Sequence, residues 1–300
     1  MKVAALVVTY NKLDLLKECL QALFNQTHPL NHIIVIDNAS EQTTQDYLTV
    51  LSQQGRINYV RLPRNIGGAG GFNAGLKTFI KHTQDDFAWI MDDDTIPTKT
   101  ALEKMLSKTD KLTHLGFLCS NVKWTNGEPS AMNIPTLAKN WTGALDEDVV
   151  AVKAASFVSC MVARTAVIKV GYPITDFFIW GDDVEYTNRV SKYFNCYLVN
   201  KSVVIHKMAE NKSVNIALEN NPKRIARYYY SFRNRHFTAR HKGFETSAYE
   251  FLFVLNSVRR VLFGKNSHRL MKLKVIFKGT MAGLSFNPKI EQVDLSDLKD

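Results

Sequence analysis

No run of residues in this chain approaches the roughly 20 uncharged apolar positions that a membrane-spanning helix needs, so no segment reads as one. Cysteine is scarce. The four residues present (Cys19, Cys119, Cys160 and Cys196) show neither CxxC nor CxxxH spacing, which argues against a zinc site and fits a reducing cytoplasm. Glycine and proline, 15 and 8 in 300 residues, are too few for a fibrous or low-complexity chain, and 45% apolar with 22% charged residues describes an ordinary globular one. The N-terminal MKVAALVVTYNK lacks a small-residue cleavage site, so it reads as a buried strand and not a signal peptide. Internal repeats are absent, and the length suits one large domain, or one domain with an appendage.

Acidic residues are also missing from one region. Residues 222–280 hold fourteen Lys/Arg against Glu245 and Glu250, a surplus of +12 in a chain whose net charge is +10. A basic surplus confined to one end points to a region that meets phosphates or an anionic surface.

The first hundred residues alternate strand and helix signals. Val3–Thr9 reads as a buried strand, and Asn11 as the cap of a helix with Leu13, Leu16, Leu20 and Leu23 on one face. Strands follow at His32–Ile36, Asn58–Leu62 and Phe87–Met91, with helices at Thr43–Ser52 and Leu76–Thr83; a glycine-rich turn covers residues 65–75. Such alternation predicts a parallel sheet covered on both faces, with ligands beyond the carboxyl ends of its strands. Further on, Lys99–Lys108 and Val184–Lys192 read as helices. Leu115–Ser120, Tyr197–Val199 and Val203–Ile205 read as strands, Ala154–Ala163 as a buried apolar segment, and the chain from about 218 as strongly helical.

Several constellations carry chemistry. Three successive aspartates, Asp92, Asp93 and Asp94, end a predicted strand. Alternate members can point to one side and offer hard oxygen ligands to Mg²⁺ or Mn²⁺, or the triplet can be a solvated acidic turn with Asp94 capping the next helix. The segment Asn65–Gly75 packs five glycines into eleven residues, suited to an anion cradle or to a flexible loop; it is neither a P-loop nor a dinucleotide fingerprint. Trp180-Gly181-Asp182-Asp183-Val184-Glu185-Tyr186 sets three carboxylates beside aromatics, which suits general-base work at a sugar-binding edge, or a plain helix cap. His206 ends an apolar strand, where it gains a role only if the aspartates need a third metal ligand. Tyr228–Arg235 interleaves aromatics with guanidinium groups, as nucleic-acid binders do. The chain has no RNP, zinc-finger or helix-turn-helix signature, and no nucleic-acid partner is expected. Phe251, Leu252, Val254, Leu255, Val258, Val261 and Leu262 form an apolar stripe beside Arg259 and Arg260, suited to an anionic leaflet or to packing on the main domain.

Taken together, VVTYNK, VIDNAS, RNIGGAGGFNAG, WIMDDDT, FFIWGDDVEY, VIHK and YYYSFRN resemble the family 2 GT-A glycosyltransferases, and within them the bacterial galactofuranosyl- and rhamnosyltransferases of cell-surface polysaccharide assembly. The match covers roughly residues 1–235 in the expected order. It implies an α/β fold of the GT-A, Rossmann-like nucleotide-sugar-binding kind: a mixed, mainly parallel sheet flanked by helices. The catalytic domain would span residues 1–217 and a basic helical region 218–300.

The resemblance also implies roles. Thr9 and Asp37 would meet the uridine and ribose of the donor, with Asn11, Arg64, Asn65, Gly67, Gly68 and Asp93 completing the nucleotide site, Arg64 and Asn65 near the diphosphate. Asp92, Asp94 and His206 would hold Mn²⁺ or Mg²⁺. Asp183 would deprotonate the acceptor hydroxyl and Asp182 orient it, with Trp180, Glu185, Tyr229 and Arg233 on the acceptor side. The related polymerases carry Trp-Asp-Asp, whereas here Gly181 separates Trp180 from the aspartate pair. The shorter chain also implies single addition, not polymerisation. The expected activity is inverting, metal-dependent transfer of galactofuranose from UDP-galactofuranose to a polyprenyl-diphosphate-linked glycan. It would take place on an anionic membrane surface at the cytoplasmic face. The alternative donors are dTDP-rhamnose and a UDP-hexopyranose, and a homo-oligomer stays open. The rival of another class is a non-catalytic, basic RNA- or polymer-binding protein on the same fold.

Overall fold

Seven consecutive apolar or β-branched residues form the first strand, β1 (Val3–Thr9), and all seven are buried, as a strand covered on both faces requires. The computed structural model describes residues 1–298. After β1 come α1 (Leu13–Phe24), β2 (His32–Asp37), α2 (Gln42–Gln53), β3 (Asn58–Arg61), α3 (Gly67–His82) and β4 (Phe87–Asp92). The chain continues through β5 (Thr95–Pro97), α4 (Ala101–Thr109), β6 (Leu115–Lys123), β7 (Thr136–Leu137), β8 (Val149–Ala154), β9 (Cys160–Ala163) and α5 (Arg164–Val170). It ends with α6 (Asp182–Val190), β10 (Asn195–His206), α7 (Pro222–Lys242), α8 (Phe244–Phe263) and α9 (Arg269–Ser285).

The strands make one sheet in the order β3-β2-β1-β4-β9-β6-β10-β8-β7, with β5 paired to β10. The β3-β2-β1-β4 portion and the β6–β10 pair are parallel, whereas β9 runs antiparallel to both β4 and β6, so the sheet is mixed. The order reverses at β1, which lies between β2 and β4. Beyond the strand ends at such a reversal lies the usual ligand position in sheets of this kind. Register places Val8 beside Asp92 and Thr9 beside Asp37, so the polar groups that end three strands share one rim.

The glycine-rich segment is helical from Gly67 onward, where a turn is the sequence expectation. Two of its glycines, Gly71 and Gly75, serve close packing against β1. A Cβ on Gly75 would lie 2.6–2.8 Å from three atoms of the fully buried Leu6 side chain, and one on Gly71 would lie 2.5 Å from Val8 Cγ1. Glycine therefore lets α3 press onto β1. Gly→Ala in a helix interior ordinarily stabilises by about 1 kcal/mol. Gly75→Ala is instead expected to destabilise by about 1–3 kcal/mol through overpacking. Urea denaturation checks this, and a stabilised variant would show that α3 has room to move off the strand.

Two further expectations need correction. Asn11 does not cap α1. Lys12 takes that position, and Asn11 adopts a φ of 56° and accepts a hydrogen bond from Glu41 N at 2.7 Å. The two short strands foreseen at 197–199 and 203–205 are one strand, β10, whose pairing with β6 is irregular between Val199 and Val203.

Contacts divide the chain into two units. One holds Met1–Thr175, Asp183–Lys212 and the segment from Ile290; the other holds Asp176–Asp182 and Ser213–Lys289. The sequence expectation puts the boundary at 217/218; contacts put it at 212/213. The helical unit has its own small core of Tyr228, Phe232, Val261 and Ile276. Within it α9 lies close to α7, since a Cβ on Gly279 would meet Tyr229 O at 2.7 Å.

Candidate active site

The first unit gathers the expected metal ligands at the β4 end. Asp93 and Asp94 form the turn between β4 and β5, and β5 pairs with β10 so that Thr95 lies beside His206. That register brings one ligand atom each of Asp92, Asp94 and His206 within 4.8 Å of one another. Asp94 and His206 are buried, and Asp92 is partly buried.

The electrostatics of this cluster call for a cation. Burial, then the nearby Asp94 charge, pushes the Asp92 carboxyl up to about 7. Burial raises Asp93 too, against the opposing pull of Lys12. Burial also disfavours ionised Asp94, but His206 and Lys12 outweigh it and hold that carboxyl well below the usual range. Lys12 Nζ lies 2.7 Å from Asp94 Oδ2 and 3.4 Å from Asp93 Oδ1. Burial works against the ammonium charge, but the three aspartates raise its pKa well above the ordinary lysine value. One ammonium among three carboxylates leaves a deficit that a divalent ion balances.

The orphaned groups agree. Asp94 Oδ1 is buried without a hydrogen-bond donor, although His206 Nε2 stands 3.2 Å away. Asn133 sets the histidine tautomer. Its Nδ2 donates to Ser156 Oγ at 2.9 Å, so Oδ1 faces His206 and accepts from Nδ1–H at 2.8 Å. Nε2 is then aimed at the aspartates, where its approach is favourable only with a proton or metal between them. Two carboxylates and one imidazole held this way fit the ligand chemistry of a divalent ion such as Mn²⁺ or Mg²⁺.

The other residues expected in the nucleotide site end up in different settings. Asp37, fully buried, accepts from Ser40 N at 2.7 Å and Tyr59 Oη at 3.0 Å and pairs with Arg61. Thr9 Oγ1 donates to Asp93 Oδ2 at 2.9 Å, so both tie β1 to the β4 turn. Asn65 Oδ1 accepts from Gly67 N at 2.8 Å, while Asn38 clamps the same loop through Ile66 N and Gly67 O at 2.9 and 2.8 Å. The N–H of Gly67 is thus already used. Gly68 is partly exposed, and the guanidinium of Arg64 is exposed with no acid paired to it among the described residues.

Asp183 belongs to this unit and lies in the first turn of α6. Its Oδ1 accepts from Val184 N at 2.7 Å, and burial pushes its carboxyl up to about 6 despite stabilising backbone N–H groups of Val184, Asp183 and Phe157. A carboxylate near that value ionises at neutral pH yet remains basic enough to take a proton. Glu185 is engaged elsewhere: both its oxygens accept from Arg189 at 2.9 Å.

In the helical unit, the turn before Asp182 is strained. Phe178, Trp180 and Gly181 have φ of 63°, 65° and 89°, costly for the two bulky aromatics. Asn234 holds the turn: fully buried, its Nδ2 donates to the carbonyls of Phe177, Ile179 and Trp180 at 2.9–3.1 Å. Arg233 donates to the carbonyls of Asp176 and Phe177 and lies 3.9 Å over the Phe286 ring. Trp180 packs on Tyr228, and Tyr229 packs edge-on to Tyr230. Asp182 is buried. Lys12, Arg61, Asn133 and Asn234 were not singled out from the sequence. Lys12 and Asn234 fall inside quoted motifs, whereas Asn133 sits in an irregular stretch with no local signal.

The profile of glycosyl transferase family 2 matches residues 4–155, just over half of the chain. The chain belongs to glycosyl transferase family 2. Among curated proteins it is similar to galactofuranosyltransferase GlfT1 of Mycolicibacterium smegmatis, 27% identical over 202 residues. That alignment covers 63% of this chain and 65% of the relative, so the chain spans just under two thirds of that protein's length. Among solved structures, residues 1–349 of S. aureus TarS in complex with UDP-GlcNAc align with a TM-score of 0.58 and 16% identity, over 93% of this chain and 82% of that one. GalNAc-T7 with UDP, GalNAc and Mn²⁺ aligns with a TM-score of 0.60 and 13% identity, over 83% and 51%. The fold of this family 2 member is that of the GT-A glycosyltransferases, as the motifs imply.

Proposed function

We propose that this chain is an inverting, metal-dependent glycosyltransferase that moves galactofuranose from UDP-galactofuranose onto a lipid-linked glycan at the inner face of the cell membrane. The observation that carries this reading is the largely buried Asp92–Asp94–His206 cluster, with its excess of negative charge, at the sheet's switch point. The name of the GlfT1 relative favours galactofuranose as the sugar, and the titles of the TarS and GalNAc-T7 structures favour a UDP donor and Mn²⁺.

Asp92, Asp94 and His206 would hold the ion, which supplies positive charge against the departing nucleotide diphosphate. Asp183 accepts the proton of the acceptor hydroxyl as its oxygen bonds to the anomeric carbon, while the bond from that carbon to the diphosphate oxygen breaks. One displacement of this kind inverts the anomeric configuration. The exposed guanidinium of Arg64 would meet diphosphate oxygens, and Asp37 and Thr9, at the ends of β2 and β1, would shape the base and ribose side.

The test is a melting-temperature panel of nucleotide sugars with and without Mn²⁺. A ligand bound only to the folded state raises stability by about 2.7 kcal/mol at one hundred times its Kd. UDP-galactofuranose with Mn²⁺ is expected to give the largest rise, and chelation to abolish it. A larger rise with dTDP-rhamnose would replace the donor. No rise with any nucleotide sugar, with or without metal, would remove the enzymatic reading.

A further inference from the structure

The helical unit leaves many large apolar side chains in the open. On α8, Glu250, Ser257 and Val261 are buried, yet Phe251 is 60% exposed and Leu255 49%. At 3.6 residues per turn, Phe244, Phe251, Leu255 and Leu262 fall in one stripe roughly 40° wide, on the side away from the buried residues. The pattern repeats on α9. Lys272, Ile276, Gly279 and Gly283 are buried, while Leu270, Phe277, Met281 and Leu284 are exposed and fall within roughly 60° of one another. Stripes this regular are what a core-facing helix shows, but among the described residues nothing in the unit covers them.

Charge selects the occupant. Arg259, Lys265, Lys274 and Lys278 are exposed on the same two helices and their loop, and none is paired to an acid among the described residues. A second copy of the chain would set two such basic surfaces against each other. A nucleic acid would satisfy the cations and stack on the phenylalanines, but it would leave Leu255, Leu262, Leu270, Met281 and Leu284 in water. An anionic bilayer accepts both: apolar side chains enter the boundary between headgroups and acyl chains, while Lys and Arg reach the lipid phosphates. No helix among the described residues is long and apolar enough to cross a membrane, so α8 and α9 would lie in the interface plane. We infer that α8 and α9 form a docking face for an anionic bilayer, with their two exposed apolar stripes seated below the headgroups.

This deepens the membrane side of the proposed function, but it is tested without donor, acceptor or metal, so a failed transfer assay leaves it intact. Co-sedimentation uses vesicles of phosphatidylcholine alone and with roughly a third phosphatidylglycerol. The wild-type chain should partition to the anionic vesicles and retain part of that binding at high salt, where purely electrostatic attachment is screened. Phe251→Ser combined with Phe277→Ser changes only exposed positions, so the melting temperature should not move, and binding should fall about tenfold or more. Lys274→Gln with Lys278→Gln should weaken binding and flatten its salt dependence. Equal binding to both vesicle types, or a serine variant that binds like wild type, would overturn the inference. So would a solution dimer that the serine changes dissociate, because a second copy would then be the occupant.

Discussion

Asp183→Asn is expected to lower transfer by about 10³-fold or more and, at pH 7, to raise the melting temperature of the ligand-free protein. The two effects share one cause. Burial lifts this carboxyl from an ordinary aspartate value to about 6. Below about 4, folded and unfolded chains both hold the proton and the group contributes nothing. Between about 4 and about 6 the unfolded chain releases a proton that the folded chain keeps, so stability declines as pH rises through that window. Above about 6 the whole cost remains, on the order of 3 kcal/mol for a shift of this size.

An amide removes that cost and retains the oxygen that accepts from Val184 N. The variant should therefore melt a few degrees higher at pH 7 than wild type, and the gap should shrink towards pH 4. In the wild-type enzyme, kcat/KM should climb with unit slope and level off above about 6, and the residual activity of the variant should lack that limb. Melting curves at both pH values, read beside steady-state rates, check the assignment. A variant with wild-type turnover would end the base role; a variant that is both inactive and destabilised would make Asp183 a structural group.

What was legible beforehand follows from where information sits along the chain. β1 runs from Val3 to Thr9 in both the sequence reading and the structure, because a run of seven apolar or β-branched residues has few other places to go. The aspartates of the β4 end were visible because a strand tip is local. Their meeting with His206 is implied only by the family resemblance, because no local pattern foretells the antiparallel pairing of β5 with β10, more than a hundred residues apart. The glycines of α3 show why composition misleads. Five glycines in eleven residues signal backbone freedom, which Gly67 uses at a φ of 77°, but Gly71 and Gly75 answer to Val8 and Leu6, whose positions no local pattern discloses. The family resemblance puts Arg233 on the acceptor side. In the structure it and Asn234 hold the backbone carbonyls of a strained turn, a role that emerges only once φ at Phe178 and Trp180 is known. Lys12 sat within VVTYNK but reads as an ordinary surface lysine until β1 and β4 are placed side by side.

The metal reading makes the second large prediction, and it separates ligands from their supports. Asp94→Asn keeps the shape of the side chain and removes the charge that Lys12 and His206 share. Mn²⁺-dependent binding of a uridine diphosphate is expected to fall about 100-fold or more, since a hard divalent ion depends on anionic oxygen. Fold stability should drop by only about 1 kcal/mol, because Lys12 is 47% exposed and its pairing is screened by water. Asn133→Ala leaves all three ligands in place but removes the acceptor that fixes His206 Nδ1–H. Loss of such an orienting partner costs about 10–100-fold in metal affinity. Asn133→Asp, which still accepts that proton, should retain most of it. Calorimetric titration with Mn²⁺ alone reads these differences without any turnover, and heteronuclear NMR of the His206 ring reports the tautomer directly. If Asn133→Ala bound Mn²⁺ like wild type, the imidazole would not be an oriented ligand. If Asp94→Asn did so as well, the cluster would be a self-contained ion-pair network around Lys12, and leaving-group stabilisation would have to come from Arg64 and the backbone instead.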